Sequence, residues 1–393
     1  MNLKNETKLE LTTNILPYWI NNMQDNENGG FYGRIDGNNI VHKNANKGGI
    51  LNARILWTFS SAYRLLGNPE YLFMAERAFQ YLTTFFIDKK NGGIFWELDY
   101  KGKPVNTKKQ TYLQGFALYG FSEFYRATGN PEALELSKKL FQLIEKHCYD
   151  PVHGGYFEAF TSDWQPIEDM RLSKKDANEK KTMNTHLHIL EPYTNLIRIW
   201  EDDELKSAQR NLIGIFANQI LDKQTYHLNL FFDEKWNCKS TDISYGHDIE
   251  ASWLLFEAAE VLGDEILIDK IKCLSIKVAD AALEGLQPDG SLIYETHEGH
   301  LVTDRHWWVQ AETVVGLVYA WQNSGNEQYL EKAEKCWRYI QQHIIDKNNG
   351  EWFWSIDSNG KPNHEDDKAG FWKCPYHNGR MCFELFCNKF LTR

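Results

Sequence analysis

A short pattern recurs six times along the chain, at intervals of about sixty residues. Each copy has an amphipathic helix, a turn rich in Gly, Asn and Asp, and a few alternating aromatic residues. A fixed period of this length is typical of one supersecondary unit copied in series, so it limits the fold more than any single residue does. Because no Pro- or Ser-rich linker interrupts the series, the sequence predicts one domain over residues 1–393. The anchors of the six turns are Gly30, Gly93, Gly155, His227, Gly290 and Gly350.

Each unit is predicted to hold two helices of different character. Residues 129–149 begin with an Asn-Pro pair, which suits a helix start, and then show one apolar stripe and one charged face. Segments 112–125, 251–262 and 311–321 are apolar almost all round, which is typical of helices covered on every side. Six buried helices alternating with six amphipathic ones predict an all-α (α/α)6 barrel, with the turns as short β-hairpins at one rim. No terminal unit is polar enough to cap an open solenoid, which favours a closed ring.

Composition argues against several classes of partner and location. The formal net charge of −11 disfavours nucleic acid or an anionic membrane as partner, because both need a basic surface. The first residues lack an apolar stretch and no run of about 18 apolar residues occurs, so we expect neither a signal peptide nor a membrane span. Seven scattered cysteines without CxxC spacing indicate free thiols in a reducing cytosol. The sequence therefore predicts a cytoplasmic protein, and a closed ring without an exposed apolar edge favours a monomer.

Polar and aromatic residues that do not fit a core gather near the predicted starts of the inner helices. A closed ring brings them to one end of the barrel axis, where the helix N-termini favour a ligand with partial negative charge. The charged stretch 160–184 lengthens one unit beside this cluster, and we expect it to form a lid or side wall of a pocket. The residues of the cluster are Arg54, Tyr112, Gln114, Asn184, His186, His188, His247, Glu250, Trp308, Glu312, Trp372 and His377.

Metal and acid-pair chemistry are two hypotheses for this cluster. A catalytic metal is disfavoured, because His186 and His188 are two residues apart on a helix and point to different faces. Glu250 and Glu312 occupy matching positions and could form the acid pair of an (α/α)6 glycoside hydrolase. The chain contains no Gly-rich dinucleotide motif, no P-loop and no Ser or Cys nucleophile motif, so no cofactor is predicted.

Histidine chemistry is the third hypothesis. His188, His247 and His377 are predicted at equivalent barrel positions, and Glu250, three residues after His247, is placed to orient its imidazole. An imidazole with a pKa near ~6.5 both takes and gives protons at neutral pH. Two imidazoles on opposite sides of a substrate can remove a proton from one face of a carbon beside a carbonyl and return it to the other, while Arg54 stabilises the enediolate. A sugar-binding protein without activity stays an alternative, but it leaves the histidines unexplained.

Four motifs occur in order along the chain. They are KTMNTHLHILE at 181–191, GHDIEASW at 246–253, WWVQAE at 307–312 and GFWKCPYH at 370–377. Together they resemble the cellobiose 2-epimerases of the N-acylglucosamine 2-epimerase superfamily, whose fold is an (α/α)6 barrel. The resemblance covers essentially the whole chain. It implies epimerisation at C2 of the reducing glucose of a β-1,4-linked disaccharide, such as cellobiose or lactose, without a metal or nucleotide.

The resemblance also implies roles for single residues. His247 and His377 match the acid/base pair of the family, and His188 matches a histidine that assists ring opening or stabilises the charged oxygen. Arg54 matches the arginine that holds the open-chain oxygens. An N-acylglucosamine 2-epimerase or an aldose–ketose isomerase on the same barrel stays an alternative. The remaining matches bind or orient the sugar or the histidines: Tyr112, Asn184, Glu250, Trp253, Trp308, Glu312, Trp372 and, in the long loop, Asp176.

Overall fold

Helices dominate the computed structural model of the protein, which describes residues 3–391. In chain order the α-helices of that range are α1 (Leu3–Glu10), α2 (Leu16–Asn22), α3 (Gly49–Leu66), α4 (Pro69–Tyr81), α5 (Thr111–Thr128), α6 (Pro131–His147), α7 (Met183–Ile197), α8 (Asp203–Ile215), α9 (Tyr245–Leu262), α10 (Glu265–Ala282), α11 (Trp307–Ser324), α12 (Glu327–Tyr339) and α13 (His377–Cys387). Single π-helical turns join α1 to α2 and extend α4, α8 and α12, and a 3₁₀ turn extends α10: Leu11–Ile15, Leu82–Phe86, Phe216–Ile220, Ile340–Ile344 and Leu283–Gly285. Within residues 3–391 no helix is both long and apolar enough to cross a membrane.

The odd-numbered helices from α3 to α13 form the inner ring of a barrel. Each packs against the next in chain order, and α13 packs against both α11 and α3. The ring is therefore closed, and the predicted (α/α)6 barrel is confirmed. The inner helices are covered on all sides, as their apolar sequences indicated. In α5, for example, every residue from Thr111 to Phe124 is buried.

The outer ring consists of α1–α2, α4, α6, α8, α10 and α12, which pack through one face only. In α6 the Asn130 side chain accepts hydrogen bonds from two backbone amides of the first turn, and Pro131 fills the first helical position. Leu140 and Ile144, one turn apart, are buried against the inner ring. The helix lies inside the predicted segment 129–149, which confirms the amphipathic pattern as the signal for an outer helix.

The N-terminal helix closes the barrel against the C-terminal one. Helix α1 packs on α13, so the first element of the chain is the outer partner of the last inner helix. The indole Nε1 of Trp19 donates to the Glu351 carboxylate at 2.8 Å, and that of Trp352 donates to Glu10 at 2.8 Å. The two ends of the chain therefore complete the sixth helix pair together.

Short strands connect the units at the rim where the inner helices begin. In chain order they are β1 (Lys47–Gly48), β2 (Glu97–Leu98), β3 (Pro104–Asn106), β4 (Lys109–Gln110), β5 (Ala159–Phe160), β6 (Lys181–Thr182), β7 (Phe231–Phe232), β8 (Ile243–Ser244), β9 (Glu295–His297), β10 (His300–Val302), β11 (Arg305–His306) and β12 (Ser355–Ile356). Strands β1, β4, β6, β8 and β11, which precede inner helices, each pair antiparallel with a strand of the following unit. The predicted hairpins are present as a bridge around each Gly-rich turn, such as Ile87 with Ile94. The pairing between units was not predicted, because two-residue strands carry no periodicity.

The fourth residue of several inner helices holds the turn that precedes the helix. Gln114 in α5 exchanges two hydrogen bonds with the backbone of Ile94. In α7 this position is His186, whose Nε2 accepts a hydrogen bond from the Tyr156 amide at 2.9 Å and whose Nδ1 donates to the Thr182 carbonyl at 2.7 Å. Gln114 and His186 were expected in the polar cluster, but both face a turn and neither lines the cavity described below. The two polar side chains therefore hold the turns in place and stabilise the fold.

Candidate active site

A cavity of about 1610 Å³ lies at the rim where the inner helices begin. Side chains from all six inner helices reach it, and residues 170–177 of the long loop form one side wall. Two predicted site residues, Glu312 and Trp253, lie behind the cavity surface. The predicted site residues that line the cavity are Arg54, Tyr112, Asp176, Asn184, His188, His247, Glu250, Trp308, Trp372 and His377.

The imidazoles of His247 and His377 both contact the indole of Trp308. The ring centroid of Trp308 lies 4.8 Å from that of His247 and 5.6 Å from that of His377. Two imidazoles from distant parts of the sequence therefore share one cavity. Nδ1 of His247 lies 2.7 Å from the Ser244 hydroxyl. Ser244, rather than the expected Glu250, is the partner of His247, because an arginine described below binds the Glu250 carboxylate.

A carboxylate behind the cavity wall holds His377. Nδ1 of His377 lies 2.7 Å from Oε1 of Glu312, and Oε2 of Glu312 accepts a hydrogen bond from Nε1 of Trp253 at 3.0 Å. Because carboxylate oxygens are acceptors, Nδ1 of His377 carries the hydrogen and Nε2 is the proton acceptor of the neutral ring. Trp253 is thus not the sugar-facing wall that the resemblance implied. It lies two turns into α9, one layer deeper than the cavity surface.

His188 lies deeper in the barrel than His247. It is the sixth residue of α7, whereas His247 is the third of α9, so the predicted equivalence of their positions is wrong. Three residues correspond to about 4.5 Å along a helix. The His188 ring packs against Tyr112 and Phe116 with centroid distances of 4.9 and 5.0 Å, and its Nδ1 is 3.4 Å from the Glu191 carboxylate. His188 therefore belongs to the floor of the cavity.

One guanidinium group at the barrel axis binds three carboxylates. Arg380 of α13 donates to Glu191 of α7 at 2.5 Å, to Glu250 of α9 at 2.5 Å and to Glu312 of α11 at 2.7 Å. The Tyr376 hydroxyl also donates to Glu191. All five side chains are buried. The cluster therefore ties four inner helices together beneath the cavity.

Arg380, Glu191 and Tyr376 were not predicted as members of the site. One signal was available, because Arg380 follows His377 by three residues, the same spacing that separates the histidine and glutamate at the start of α9. Glu191 ends the motif at 181–191, but it lies in the middle of α7, away from the helix start where site residues were expected. Only the meeting of four helices at the axis makes it part of the site.

Between residues 3 and 391, two groups of side chains have the spacing of metal ligands: His188 with Glu191 and Glu250, and Glu250 with Glu312 and His377. The guanidinium of Arg380 already binds a carboxylate oxygen of each of the three glutamates. A metal ion among the same oxygens would lie next to this positive charge and be repelled by it. The three carboxylates are therefore arranged to bind a guanidinium group.

Arg54 is a buried cation surrounded by aromatic rings. Its Nη2 donates to the Tyr112 hydroxyl at 2.8 Å and its Nη1 to the Trp372 carbonyl at 3.4 Å. The rings of Phe116 and Tyr376 have their centroids 4.2 and 4.9 Å from the guanidinium carbon. Within residues 3–391 its Nε has no hydrogen-bond partner. A buried cation with unused donors at a cavity suits an oxygen that carries negative charge.

Aromatic faces and free polar groups complete the cavity wall. The ring of Trp372 lies 6.2 Å from that of Tyr112, and both line the cavity. Asn184, at the start of α7, has a buried Oδ1 without a partner in the described part of the chain. Asp176 lines the cavity from the long loop, where its carboxylate accepts a hydrogen bond from the Ser173 amide at 2.7 Å. Apolar walls with a few polar groups are typical of a small-molecule site.

Burial holds the imidazoles of His188, His247 and His377 in the neutral form at neutral pH. Burial lowers the pKa of His247 to about 3, and it also lowers the pKa of His188 and of His377. The nearby cations Arg54 and Arg380 add to the effect of burial on the pKa of His377. A neutral imidazole can accept a proton, so the arrangement suits general base chemistry.

The chain is similar over nearly its full length to several known proteins. The family model for N-acylglucosamine 2-epimerase (GlcNAc 2-epimerase) matches residues 30–379. A cellobiose 2-epimerase of Bacteroides fragilis is 58% identical over 385 residues, which is 98% of each chain, and one of Ruminococcus albus is 41% identical over 385 residues, 97% of each chain. The solved cellobiose 2-epimerase from Bacillus thermoamylovorans B4167 superposes with a TM-score of 0.95 at 42% identity, covering 98% of this chain and 99% of that one. With a closed six-fold barrel and matches of this extent, the chain belongs to the N-acylglucosamine 2-epimerase family.

Proposed function

We propose that this protein is a cellobiose 2-epimerase. It interconverts glucose and mannose at the reducing end of a β-1,4-linked disaccharide such as cellobiose or lactose. The observation that carries the proposal is that His247 and His377 line one cavity and both contact Trp308. Similarity at 58% and 41% identity to relatives named cellobiose 2-epimerase supports this activity within the family.

Epimerisation at C2 needs a proton to leave one face of the carbon and another to arrive on the opposite face. In the open-chain sugar, C2 lies beside the C1 carbonyl, so the electron pair left by the proton moves to the C1 oxygen. We assign proton removal and return to His247 and His377. The Glu312 carboxylate, 2.7 Å from Nδ1 of His377, and the Ser244 hydroxyl, 2.7 Å from Nδ1 of His247, orient the two rings for this exchange.

The other cavity residues bind the sugar or stabilise the charged oxygen. Arg54, a buried cation with an unpartnered Nε, stabilises the enediolate oxygen, and His188 on the cavity floor assists ring opening or the same oxygen. Trp308 and Trp372 stack on the two sugar rings. The residues that bind hydroxyl groups or orient these side chains are Tyr112, Asn184, Asp176, Glu250, Glu312 and, from the second layer, Trp253.

Product analysis after incubation with cellobiose tests the function. We expect a disaccharide with mannose at its reducing end, and solvent deuterium at C2 when the reaction runs in D2O. A ketose product would indicate an aldose–ketose isomerase, and free glucose would indicate a glycoside hydrolase. Turnover of N-acetylglucosamine but not of cellobiose would indicate an N-acylglucosamine 2-epimerase. Unchanged cellobiose overturns the proposal.

We also propose that residues 1–393 form one catalytic domain, which acts as a cytoplasmic monomer without a metal or cofactor. All seven cysteines lie within the described residues and are unpaired, which supports a reducing compartment. The guanidinium of Arg380 among the buried carboxylates supports metal-free chemistry. We expect a mass near 46.0 kDa by light scattering, unchanged activity after EDTA treatment, and no stable fragment on limited proteolysis. A dimer mass, loss of activity with EDTA or a stable half-chain fragment would each contradict the corresponding part.

A further inference from the structure

The carboxyl groups beneath the cavity outnumber the cations bound to them. Glu191, Glu250 and Glu312 are each at most 2% exposed and bind one guanidinium at 2.5–2.7 Å. Arg380 balances one negative charge, and within residues 3–391 no other lysine or arginine forms an ion pair with these three carboxyl groups. Three like charges this close together in a desolvated site do not all ionise. At least one of the three carboxyl groups therefore remains protonated.

Hydrogen bonding decides which carboxyl group this is. Glu191 accepts hydrogen bonds from Arg380 and Tyr376, and Glu312 accepts them from Arg380, Trp253 and His377. These donors stabilise the ionised forms of the two carboxyl groups. Glu250 has a hydrogen bond from Arg380 on Oε1, whereas its Oε2 is a buried oxygen without a partner within residues 3–391. The ionised form of Glu250 has the fewest hydrogen-bond donors to stabilise it, so the proton resides on Glu250.

The surroundings of Glu250 agree with this assignment. Burial, followed by the charge of Glu312, raises the pKa of Glu250 well above its usual range. Of the three glutamates, Glu250 is the one that lines the cavity. The titratable and charged groups that face it are Tyr112 of α5, His188 and Glu191 of α7, Glu312 of α11, Tyr376 at the N-cap of α13, and His377 and Arg380 of α13. Arg54 of α3 and His247 of α9 line the same cavity.

We propose that Glu250 is an un-ionised carboxylic acid whose Oε2 hydrogen donates to the substrate oxygen that becomes negative during epimerisation. The proposal rests on the proposed function, which supplies this oxygen. The hydrogen stays on Glu250 throughout, so the exchange of protons between His247, C2 and His377 is unchanged. A neutral acid fixed in a buried site is a strong donor to a developing oxyanion, because it needs no reorganisation when the charge forms. Glu250 is then a catalytic hydrogen-bond donor.

Two substitutions separate a neutral donor from an ionised carboxylate. Glu250→Gln keeps an oxygen for Arg380 and offers an amide N–H in place of the acid O–H, so we expect kcat on cellobiose within about tenfold of the wild type. Glu250→Ala removes the donor, and we expect kcat to fall by roughly 10²–10³-fold. An equally large loss in Glu250→Gln, with the fold intact by circular dichroism, overturns the proposal.

An infrared difference spectrum tests the protonation state without turnover. The wild-type spectrum minus that of Glu250→Gln, at neutral pH, should contain the carbonyl stretch of a protonated carboxylic acid. Carboxylate stretches in its place overturn the proposal. If the wild type does not epimerise cellobiose but the acid band is present, the proposed function fails while the protonation of Glu250 stands.

Discussion

Chemically identical imidazoles differ in role because their neighbours differ. His186 has both ring nitrogens bonded to the backbone of other residues, which uses up its capacity to transfer protons. His247 and His377 each have a side-chain partner on Nδ1 and line the cavity. The partners also differ, since Ser244 is neutral whereas Glu312 is a carboxylate. Two bases with unlike partners can hold different protonation states in one substrate complex.

Substitution of the cavity histidines tests their role. We expect His247→Phe and His377→Phe each to lower kcat on cellobiose by ~10²–10⁴-fold, because each substitution removes a proton-transfer group. Disaccharide binding, measured by calorimetry, should persist. The matched control is His186→Asn, which should keep kcat but lower the free energy of unfolding by about 1–3 kcal/mol, because buried backbone groups lose their partner. Near-normal turnover in either Phe variant would remove that histidine from the acid/base role.

Glu158 offers a pH-dependent test of a buried acid outside the proton-transfer pair. It accepts hydrogen bonds from the Thr182 amide at 2.8 Å and the Thr185 hydroxyl at 2.6 Å, and burial raises its pKa from 4.5 to about 8. Between these values the unfolded chain loses the proton while the folded protein keeps it, so this group destabilises the fold as pH rises from about 4.5 to about 8.

Glu158→Gln removes this dependence while keeping the hydrogen-bonding shape. We expect the free energy of unfolding of the variant, minus that of the wild type, to increase through this pH window by up to about 1.4 kcal/mol per pH unit. Urea unfolding at a series of pH values measures the difference. A difference that does not change with pH would show that Glu158 is ionised in the folded protein.

At the scale of elements, buried ion pairs stabilise the rim of the barrel where the cavity lies. In three units a fully buried lysine of a rim strand reaches the aspartate that begins the preceding turn, at 2.7–2.8 Å. Removing one partner of such a pair typically costs about 3–5 kcal/mol, because the other charge is left buried. The long loop between β5 and β6 is attached to this rim but lacks such pairs along 161–180 in the structure. The three pairs are Lys47 with Asp25, Lys109 with Asp88, and Lys181 with Asp150.

The long loop is expected to contribute to binding rather than to proton transfer. Asp176→Ala should raise KM for cellobiose several-fold and leave kcat within about twofold, since contacts to a remote sugar are the same in the ground state and transition state. The control is Asp169→Ala on the same loop, where the exposed carboxylate binds Arg171 and does not line the cavity. Steady-state kinetics measure both. A fall in kcat without a change in KM would place Asp176 in the chemical step.

At the scale of the whole molecule, closure of the ring is what brings the two ends of the chain to one site. Helix α13 carries His377 and Arg380, and it is held between α11, α3 and the N-terminal helix. Trp19 of α2, at 0% exposure, donates to Glu351, whose carboxylate also accepts a hydrogen bond from Asn378 of α13. Loosening the N-terminal helix therefore acts on the last inner helix, and through it on the cavity floor.

Trp19→Ala tests the contribution of this closure. We expect the free energy of unfolding to fall by about 3–5 kcal/mol, because a large buried ring is lost and the Glu351 carboxylate loses a donor. Guanidinium unfolding followed by circular dichroism measures the change. The control Phe73→Ala removes an exposed aromatic side chain of α4 and should have little effect. Equal stability of both variants would show that the N-terminal helix is not needed for the closed ring.

Helix type and order follow from local sequence, but the apolar pattern alone does not mark where a helix begins. The apolar segments 251–262 and 311–321 lie within α9 and α11, which begin at Tyr245 and Trp307. The residues before each segment were predicted near a helix start. They lie in the first two turns of these helices and include His247, Glu250 and Trp308 of the cavity.

The amino-acid sequence by itself determined the six-fold repeat, the alternation of buried and amphipathic helices, and the residue types available for chemistry. These properties depend on spacing within one turn or one helix, which is local information. Only the tertiary structure decided that Glu250 binds Arg380, that Trp253 lies one layer behind the cavity with its indole on Glu312, and that Arg380 binds three carboxylates. Those contacts join helices far apart in the chain, and they depend on the depth and rotation of each helix when the ring closes, which no local pattern encodes.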